Sequence, residues 1–419
     1  MPEMPKYINP VSLIPGGCPQ LLDYSLPAET IEKIRYAFVE AREGAAGTER
    51  VLLHAYRRNA DNEYADEINP EKTCDDYDYE IAATKAIQPW LNQWLPIPFL
   101  RVRDQTWPDS DECRFDYGPS NWARARLCQD SSNPGNLRLV LAFDMQTEDR
   151  AGDNYAALSR ADVDANAHFK LAWRFRDNSW FMDLAWVEEW LSELWRAWQR
   201  KKRIRDDDDR RFEHLASYLV YLEVIETISK NCGVYVVRPD GQCVETDLVL
   251  DIGNSRTTGL IVETQVQSTT SLNNSYLLQL RDMDQPDKIY AEPFDTRVEF
   301  SEIQFGNDAL SMRSGRKTPA FAWPSPVRIG PEAGRLATLS RCAKGSTGMS
   351  SPKRYLWDER DWQRTWRYNT KSENSPYVTR GPLVQQVNSS GTPLCCMNDK
   401  SFTRNPILRK QDPESAFES

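Results

Sequence analysis

The chain has 419 residues, enough for two or three domains, and a net charge of −10. With 40% hydrophobic residues and 14 tryptophans it reads as globular, not disordered, and its acidic balance gives no reason to expect nucleic-acid binding. No window approaches the ~18 uncharged apolar residues of a membrane span. The start, M-P-E-M-P-K-Y-I-N-P, lacks the basic-then-apolar layout of a secretory signal. Nine scattered cysteines with no C-x-x-C pair support neither a zinc framework nor a disulfide scaffold, so a reducing cytoplasm is the expected setting.

In chain order, residues 1–30 read as short extended pieces broken by prolines and Gly16-Gly17, with V-S-L-I and L-L-D-Y-S-L forming a hairpin or edge pair. Ile31, Ile34, Phe38 and Ala41 keep a helical spacing, which predicts a helix over 29–43. V-L-L-H-A-Y (51–56) and L-R-L-V-L-A-F (137–143) are strand candidates. Between them, 61–80 reads as a solvated acidic loop, a short helix reaches Trp90-Leu91, and 103–136, rich in Asp, Pro, Ser and Gly, reads as irregular surface structure. The clearest helix lies over 183–199: Leu184, Val187, Leu191, Leu194 and Trp198 form one stripe, widened by Trp186, Trp190 and Trp195. Such a stripe faces its own core more often than a partner. R-K-K-R-I-R (200–205) runs into four aspartates that cancel its field, so a solvated helix end is expected there. A further helix over 210–231 ends at Asn231-Cys232-Gly233 with a glycine cap. Y-V-V-R (235–238) is a strand able to join the later sheet, and the domain boundary falls at 233–245.

Beyond that boundary stands D-L-V-L-D-I-G-N-S-R-T-T-G-L-I-V-E (247–263). Its first apolar run suits a strand buried on both faces. The turn Gly253, Asn254, Ser255, Arg256, Thr257 and Thr258 combines a flexible glycine with hydroxyl and amide donors, a composition that can present N–H groups to an anion. Asp251, at the strand's end, is placed to hold a hydrated divalent cation. The same residues also read as an ordinary hairpin whose Asp caps a turn. Residues 264–275 read as a loop, 277–280 and 297–305 as strands, and 331–339 as a helix entered through Gly330, while the last forty residues carry no pattern. Competing motifs are missing. There is no G-x-x-x-x-G-K-[ST], no G-x-G-x-x-G after a strand and no G-x-S-x-G, and His54, His168 and His214 show no H-E-x-x-H spacing.

D-I-G-N-S-R-T-T (251–258) resembles the first phosphate hairpin of the actin, sugar kinase and 70-kDa heat-shock chaperone superfamily. T-P-A-F-A-W (318–323), V-R-I-G-P-E-A-G-R-L-A (327–337) and S-S-P-K-R-Y-L (350–356) resemble segments of the chaperone branch in the same order. More widely, V-S-L-I-P-G-G-C-P-Q-L-L-D-Y-S-L, the tryptophan helix and V-L-D-I-G-N-S-R-T resemble the SrfB virulence-factor family of Gram-negative bacteria over the whole chain. The resemblance implies a family-specific α+β domain over 1–233, followed over 234–419 by the first lobe of an actin-like (ribonuclease H-like) ATPase domain. It implies ATP and Mg²⁺ as cofactors and slow hydrolysis driving a conformational change. Asp251 then matches the carboxylate that orders magnesium-bound water, and Lys353 the lysine that positions the attacking water and γ-phosphate. Gly253 lets the backbone approach the phosphates, with Asn254, Ser255, Arg256, Thr257 and Thr258 completing the turn. Asn254 in place of a hydroxyl and the bulky Arg256 depart from the chaperone pattern. D-x-G-N-[ST] also resembles type III pantothenate kinases, so a small-molecule kinase stays open, as does an inactive scaffold docking partner proteins. No D-x-G follows Asp251 to supply a second phosphate hairpin. The resemblance therefore implies an amino-terminal fragment holding half of a nucleotide clamp.

Overall fold

A computed structural model describes residues 11–16, 18–43, 50–66, 69–103, 114–149, 155–204, 210–230, 233–238, 245–264, 275–291, 293–323, 325–340, 346–353, 365–367, 369 and 378–380. It is mixed α and β, with seven α-helices and many short strands among these residues. The chain divides into a first unit, Met1–Asp240 with Gln304–Ala322, and a second unit, Gly241–Ile303 with Trp323–Ser419.

Three sheets of four or five strands and one two-stranded pair, Thr147–Glu148 with Leu158–Ser159, build the first unit among the described residues. The strongest strand signal, L-R-L-V-L-A-F, lies inside Asn136–Phe143, an inner strand flanked antiparallel by Gln20–Pro27 and Ala123–Gln129, with Trp94–Ile97 beyond. Leu139 to Phe143 are all buried, as a continuous apolar run demands. The five-stranded sheet runs Val11–Leu13, Gly233–Val236, His168–Leu171, Phe99–Arg103, Arg114–Tyr117, with only the first pair parallel. V-S-L-I and L-L-D-Y-S-L thus enter different sheets and form no hairpin, because each finds a long-range partner. The strand of Y-V-V-R belongs to the first unit rather than to the later sheet. In the third sheet Arg35–Glu43 pairs with Arg50–Arg58 over eight residues and with Tyr79–Ala82. The expected helix over 29–43 is therefore a 3₁₀ turn, Ala28–Ile31, and a strand. The helical spacing loses to cross-strand burial of Tyr36 and Phe38.

Two further expectations fail in this unit. Ala123–Gln129, inside a stretch expected to be irregular, is a central strand whose arginines disguised it. The acidic 61–80 stretch contains the strand Tyr64–Asp66 and the start of Tyr79–Ala82. The tryptophan helix, Ala185–Lys202, buries Trp186, Val187, Trp190 and Leu191, so that stripe is core. It and the Glu213–Ser229 helix end on left-handed Arg203 (φ 57°) and Lys230 (φ 53°); no glycine cap is used, and Gly233 instead opens a strand. Of R-K-K-R-I-R, residues 200–204 are an exposed helix end and 205 lies outside the described residues.

The segment Gln304–Ala322 counts with this unit although it follows the hairpin in sequence. Strand 297–305 therefore ends at Phe300, and Phe305 lies in the first unit's core, its ring 5.3 Å from that of Trp94. Gly306 (φ +107°) sits where a Cβ would stand 2.3 Å from Trp190 Cζ2, so no other residue fits. Arg124, fully buried, donates to the Phe305 carbonyl and to Ser311 Oγ at 2.7 Å, with its guanidinium 4.0 Å over the Phe321 ring. Arg316 pairs with buried Asp144 at 2.8 Å and donates to the Asn121 carbonyl at 3.0 Å, while Phe321 N–H donates to Asp144 at 2.6 Å.

In the second unit Glu245–Ile252 and Arg256–Thr264 form the expected hairpin, paired over eight positions, with Ser275–Leu277 and Phe294–Asp295 pairing to the second strand. Arg297–Phe300 lies between Val327–Ile329 and Gly348–Ser350 in another sheet. The expected 277–280 strand is two short ones, Ser275–Leu277 and Gln279–Arg281. The helix Gly330–Leu339 is entered through Gly330 (φ +65°), with proline in its first turn. One expectation reverses: the first hairpin strand is exposed along its whole length, with Leu248 and Val249 each 57% accessible. It is an edge strand, and no second sheet layer covers it among the described residues. Most of the 264–275 loop, nearly all of the last forty residues and the R-Y-L end of S-S-P-K-R-Y-L lie outside the described residues. No helix among them is long and apolar enough to cross a membrane.

Candidate functional site

The hairpin's strands owe their pairing to two runs of β-forming residues, and its turn to Gly253. The Gly253 N–H donates to the Arg256 carbonyl at 2.9 Å, and a Cβ on Gly253 would stand 2.6 Å from that oxygen. A side chain there would push the turn open, so the glycine sets its tightness.

A second strand and a distant loop buttress this turn. Thr296 N–H donates to the Ser255 carbonyl at 3.0 Å, and its hydroxyl lies 2.8 Å from the Thr257 hydroxyl. Ser351, held left-handed at φ 53°, donates its N–H to the Thr296 carbonyl at 2.8 Å and its hydroxyl to the Asn254 carbonyl at 2.6 Å. Two residues on, Lys353 Nζ donates to the Ile252 carbonyl at 2.9 Å across 101 residues of sequence. The lysine's ammonium thus reaches the strand end that carries Asp251. Asp251 and Thr258 are direct cross-strand partners and share a face, whereas Thr257 pairs with Ile252 on the opposite face. The Thr257 hydroxyl is therefore turned to Thr296, and Thr258 is the hydroxyl beside Asp251. Arg256 pairs with Asp295 at 2.7 Å, both side chains being largely exposed, so its charge is partly offset at the turn.

The site therefore holds the Asp251 carboxylate, the Lys353 ammonium, the Arg256–Asp295 ion pair, two turn residues (Asn254 and Ser255) at the exposed tip, and hydroxyls on either side. This donor set suits oxyanions. No group of three or more His, Cys, Asp or Glu side chains able to hold a metal ion occurs among the described residues. A divalent cation at Asp251 would thus need water and phosphate oxygens for most of its coordination, which is how Mg²⁺ is commonly held.

The sequence offered no role for V-R-I-G-P-E-A-G-R beyond likeness. In the structure it is a clamp. Glu332 accepts the N–H groups of Met283 and Asp284 at 3.0 and 3.1 Å, while Arg335 makes a forked pair with buried Asp282 at 2.7 and 2.9 Å and reaches Asp284 at 3.0 Å. Asp282 in turn caps Asp284 and Gln285 and accepts from the Tyr290 hydroxyl. The i,i+3 spacing of Glu332 and Arg335 puts both on one helix face, the available signal that they work together. Burial, then the neighbouring Asp282 charge, pushes the Glu332 carboxyl up to about 7.

No curated protein and no solved structure matches the chain. The family described as Virulence factor SrfB matches residues 1–415, nearly its whole length. The chain belongs to the SrfB virulence-factor family.

Proposed function

We propose that the hairpin turn binds the phosphates of a Mg²⁺–nucleotide, in a virulence-associated protein whose second unit is an actin-like ATPase lobe. One observation carries this reading: Lys353 and Ser351 arrive from a hundred residues away to bond the carbonyls of Ile252 and Asn254, bracketing the turn beside Asp251. An ordinary hairpin has no need of an ammonium there. The ordered D-x-G and K-R segments support the same reading. Phosphoryl transfer calls for placement and charge neutralisation more than covalent chemistry, and these residues supply that.

In this reading Asp251 orients the cation's water shell. The Asn254 and Ser255 N–H groups and the Thr258 hydroxyl hold phosphate oxygens. Lys353, rigidified by its bond to the Ile252 carbonyl, neutralises charge and positions the attacking water. The bound Mg²⁺ would supply neutralisation of developing phosphate charge. Gly253 keeps the tip close enough for backbone donors to reach.

Calorimetric titration with ATP, with and without Mg²⁺, tests the proposal. Magnesium-dependent binding is expected, weakened about tenfold or more by Lys353→Ala and stripped of its magnesium dependence by Asp251→Ala. Absence of nucleotide binding, or binding indifferent to Asp251→Ala, overturns it. A second reading, an interaction scaffold without catalysis, draws on the exposed apolar strand; turnover of ATP abolished by Lys353→Ala would exclude it.

A further inference from the structure

The turn beside Asp251 carries a cation whose partner is replaceable. Arg256 follows the tip directly and lies two residues before Thr258, the cross-strand partner of Asp251. Two-residue alternation therefore puts Arg256 on the face of Thr258 and Asp251, away from Thr257 and its contact with Thr296. Asp295 is the cross-strand partner of Arg256 and takes its guanidinium at 2.7 Å. One face at the turn thus sets two carboxylates, a hydroxyl and a guanidinium in neighbouring positions.

The ion pair does little to hold these strands together. Its side chains are 62 and 51% exposed, and water and salt screen most of the attraction in such a pair. The strands are tied beside it by other means. Thr257 pairs with Phe294, and Thr296 donates its N–H to the Ser255 carbonyl at 3.0 Å and meets the Thr257 hydroxyl at 2.8 Å. Nor does the turn need this side chain, because it closes through the Arg256 carbonyl, which accepts the Gly253 N–H at 2.9 Å and which any residue supplies. What the side chain adds is a planar fork of donors at the tip, suited to two oxygens of one phosphate. A phosphate carries more negative charge than a carboxylate, so it displaces Asp295 from a pair that water already weakens.

We propose that Arg256 is a phosphate-binding residue that exchanges Asp295 for phosphate oxygens when nucleotide binds, and that Asp295 is a built-in competitor that lowers the site's affinity. This rests on the nucleotide reading of the turn and adds to it a second cation and a residue that opposes binding.

Calorimetric titration of the full chain with Mg²⁺–ATP tests it. Arg256→Gln should weaken binding about tenfold, and Arg256→Lys, which keeps the charge but not the fork, should weaken it less. Asp295→Asn, which removes the competing charge and keeps the shape, should strengthen binding about threefold, and most of that gain should vanish when Arg256→Gln is added. The sign decides, because removing a merely structural clasp would loosen the turn and weaken binding. On the unaltered chain, modification of Arg256 by phenylglyoxal, followed by mass spectrometry, should slow about threefold or more with saturating Mg²⁺–ATP and stay unchanged with adenosine. If Mg²⁺–ATP binds and Lys353→Ala weakens it, but Asp295→Asn leaves affinity unchanged or lowers it, or Arg256 is not protected, this inference is overturned and the reading of the turn stands. Absence of nucleotide binding by the unaltered chain overturns both.

Discussion

Arg124 and Leu248 exchange the places their chemistry would assign them. In the first unit a guanidinium is fully buried, while in the second a leucine on a β-strand is 57% exposed. The buried charge is largely satisfied, with its Nε alone left without a hydrogen-bond partner. Phe305, Ser311 and Asn121 accept its donors, Asp308 pairs with it at 3.6 Å, aromatic rings cover it, and the Gln304–Ala322 segment supplies Phe305, Asp308, Ser311 and Phe321 to that shell. The exposed leucine is unfinished, with backbone donors and acceptors facing outward and no layer over either face among the described residues. A buried polar group held by many partners is tied to the architecture, whereas an apolar group left in water contributes little to it.

The comparison breaks first at Arg124. Truncation strands the Phe305 carbonyl in the interior, removes the cation that faces Asp308 and opens a cavity under Trp190 and Phe321, while the Ser311 hydroxyl keeps its bonds to Asn121. Arg124→Ala should therefore cost on the order of 3–5 kcal/mol in urea unfolding followed by tryptophan fluorescence. Arg124→Met should recover part of the packing but leave the carbonyl unpaired, so it should fall between the two.

How these regions read in sequence follows from what sets their burial. The hairpin was legible because Asp251, Gly253 and the hydroxyls are local and the turn's geometry needs them in that order. The contact of Lys353 with the Ile252 carbonyl was suggested only by likeness to a family, since no periodicity links residues 101 apart. The place of the 304–322 segment was illegible: residues 304–305 read as the end of a strand and 318–322 only as a family likeness, and the segment's role depends on Trp190, Asp144 and Asn121, far away in the chain. Arg124 hid a central strand for the same reason. The exposure of Leu248 was equally unreadable, because an apolar run reports what a strand is suited to and not what lies over it.

A test of intermediate size concerns Glu332, a carboxyl buried within a network that is neither as closed as that of Arg124 nor as open as the hairpin. Its folded value of about 7 lies above the ordinary 4.5, raised first by burial and then by Asp282. The protonated form is thus favoured by folding. Its contribution is fully present below about pH 4.5 and is lost as pH rises through about 7, with Arg328 pulling the other way. Stability of the second unit should fall on the order of 2 kcal/mol across that window, and Glu332→Gln should flatten the profile. A flat profile for the unaltered chain would place Glu332 with the fully compensated groups.

The smallest effect is expected at Leu248 itself. Leu139, in the inner strand Asn136–Phe143, is fully buried, and Leu139→Ala should cost about 2–5 kcal/mol through lost burial and a residual cavity. Leu248 is already 57% exposed. Leu248→Ala should therefore shift the urea midpoint by no more than about 0.5 kcal/mol. A cost near that of Leu139 would mean that the strand is covered in solution, and the edge would then be as complete as the arginine's shell. Near-neutrality would separate the two regions: one leucine stabilises the fold, and the other adds little to it.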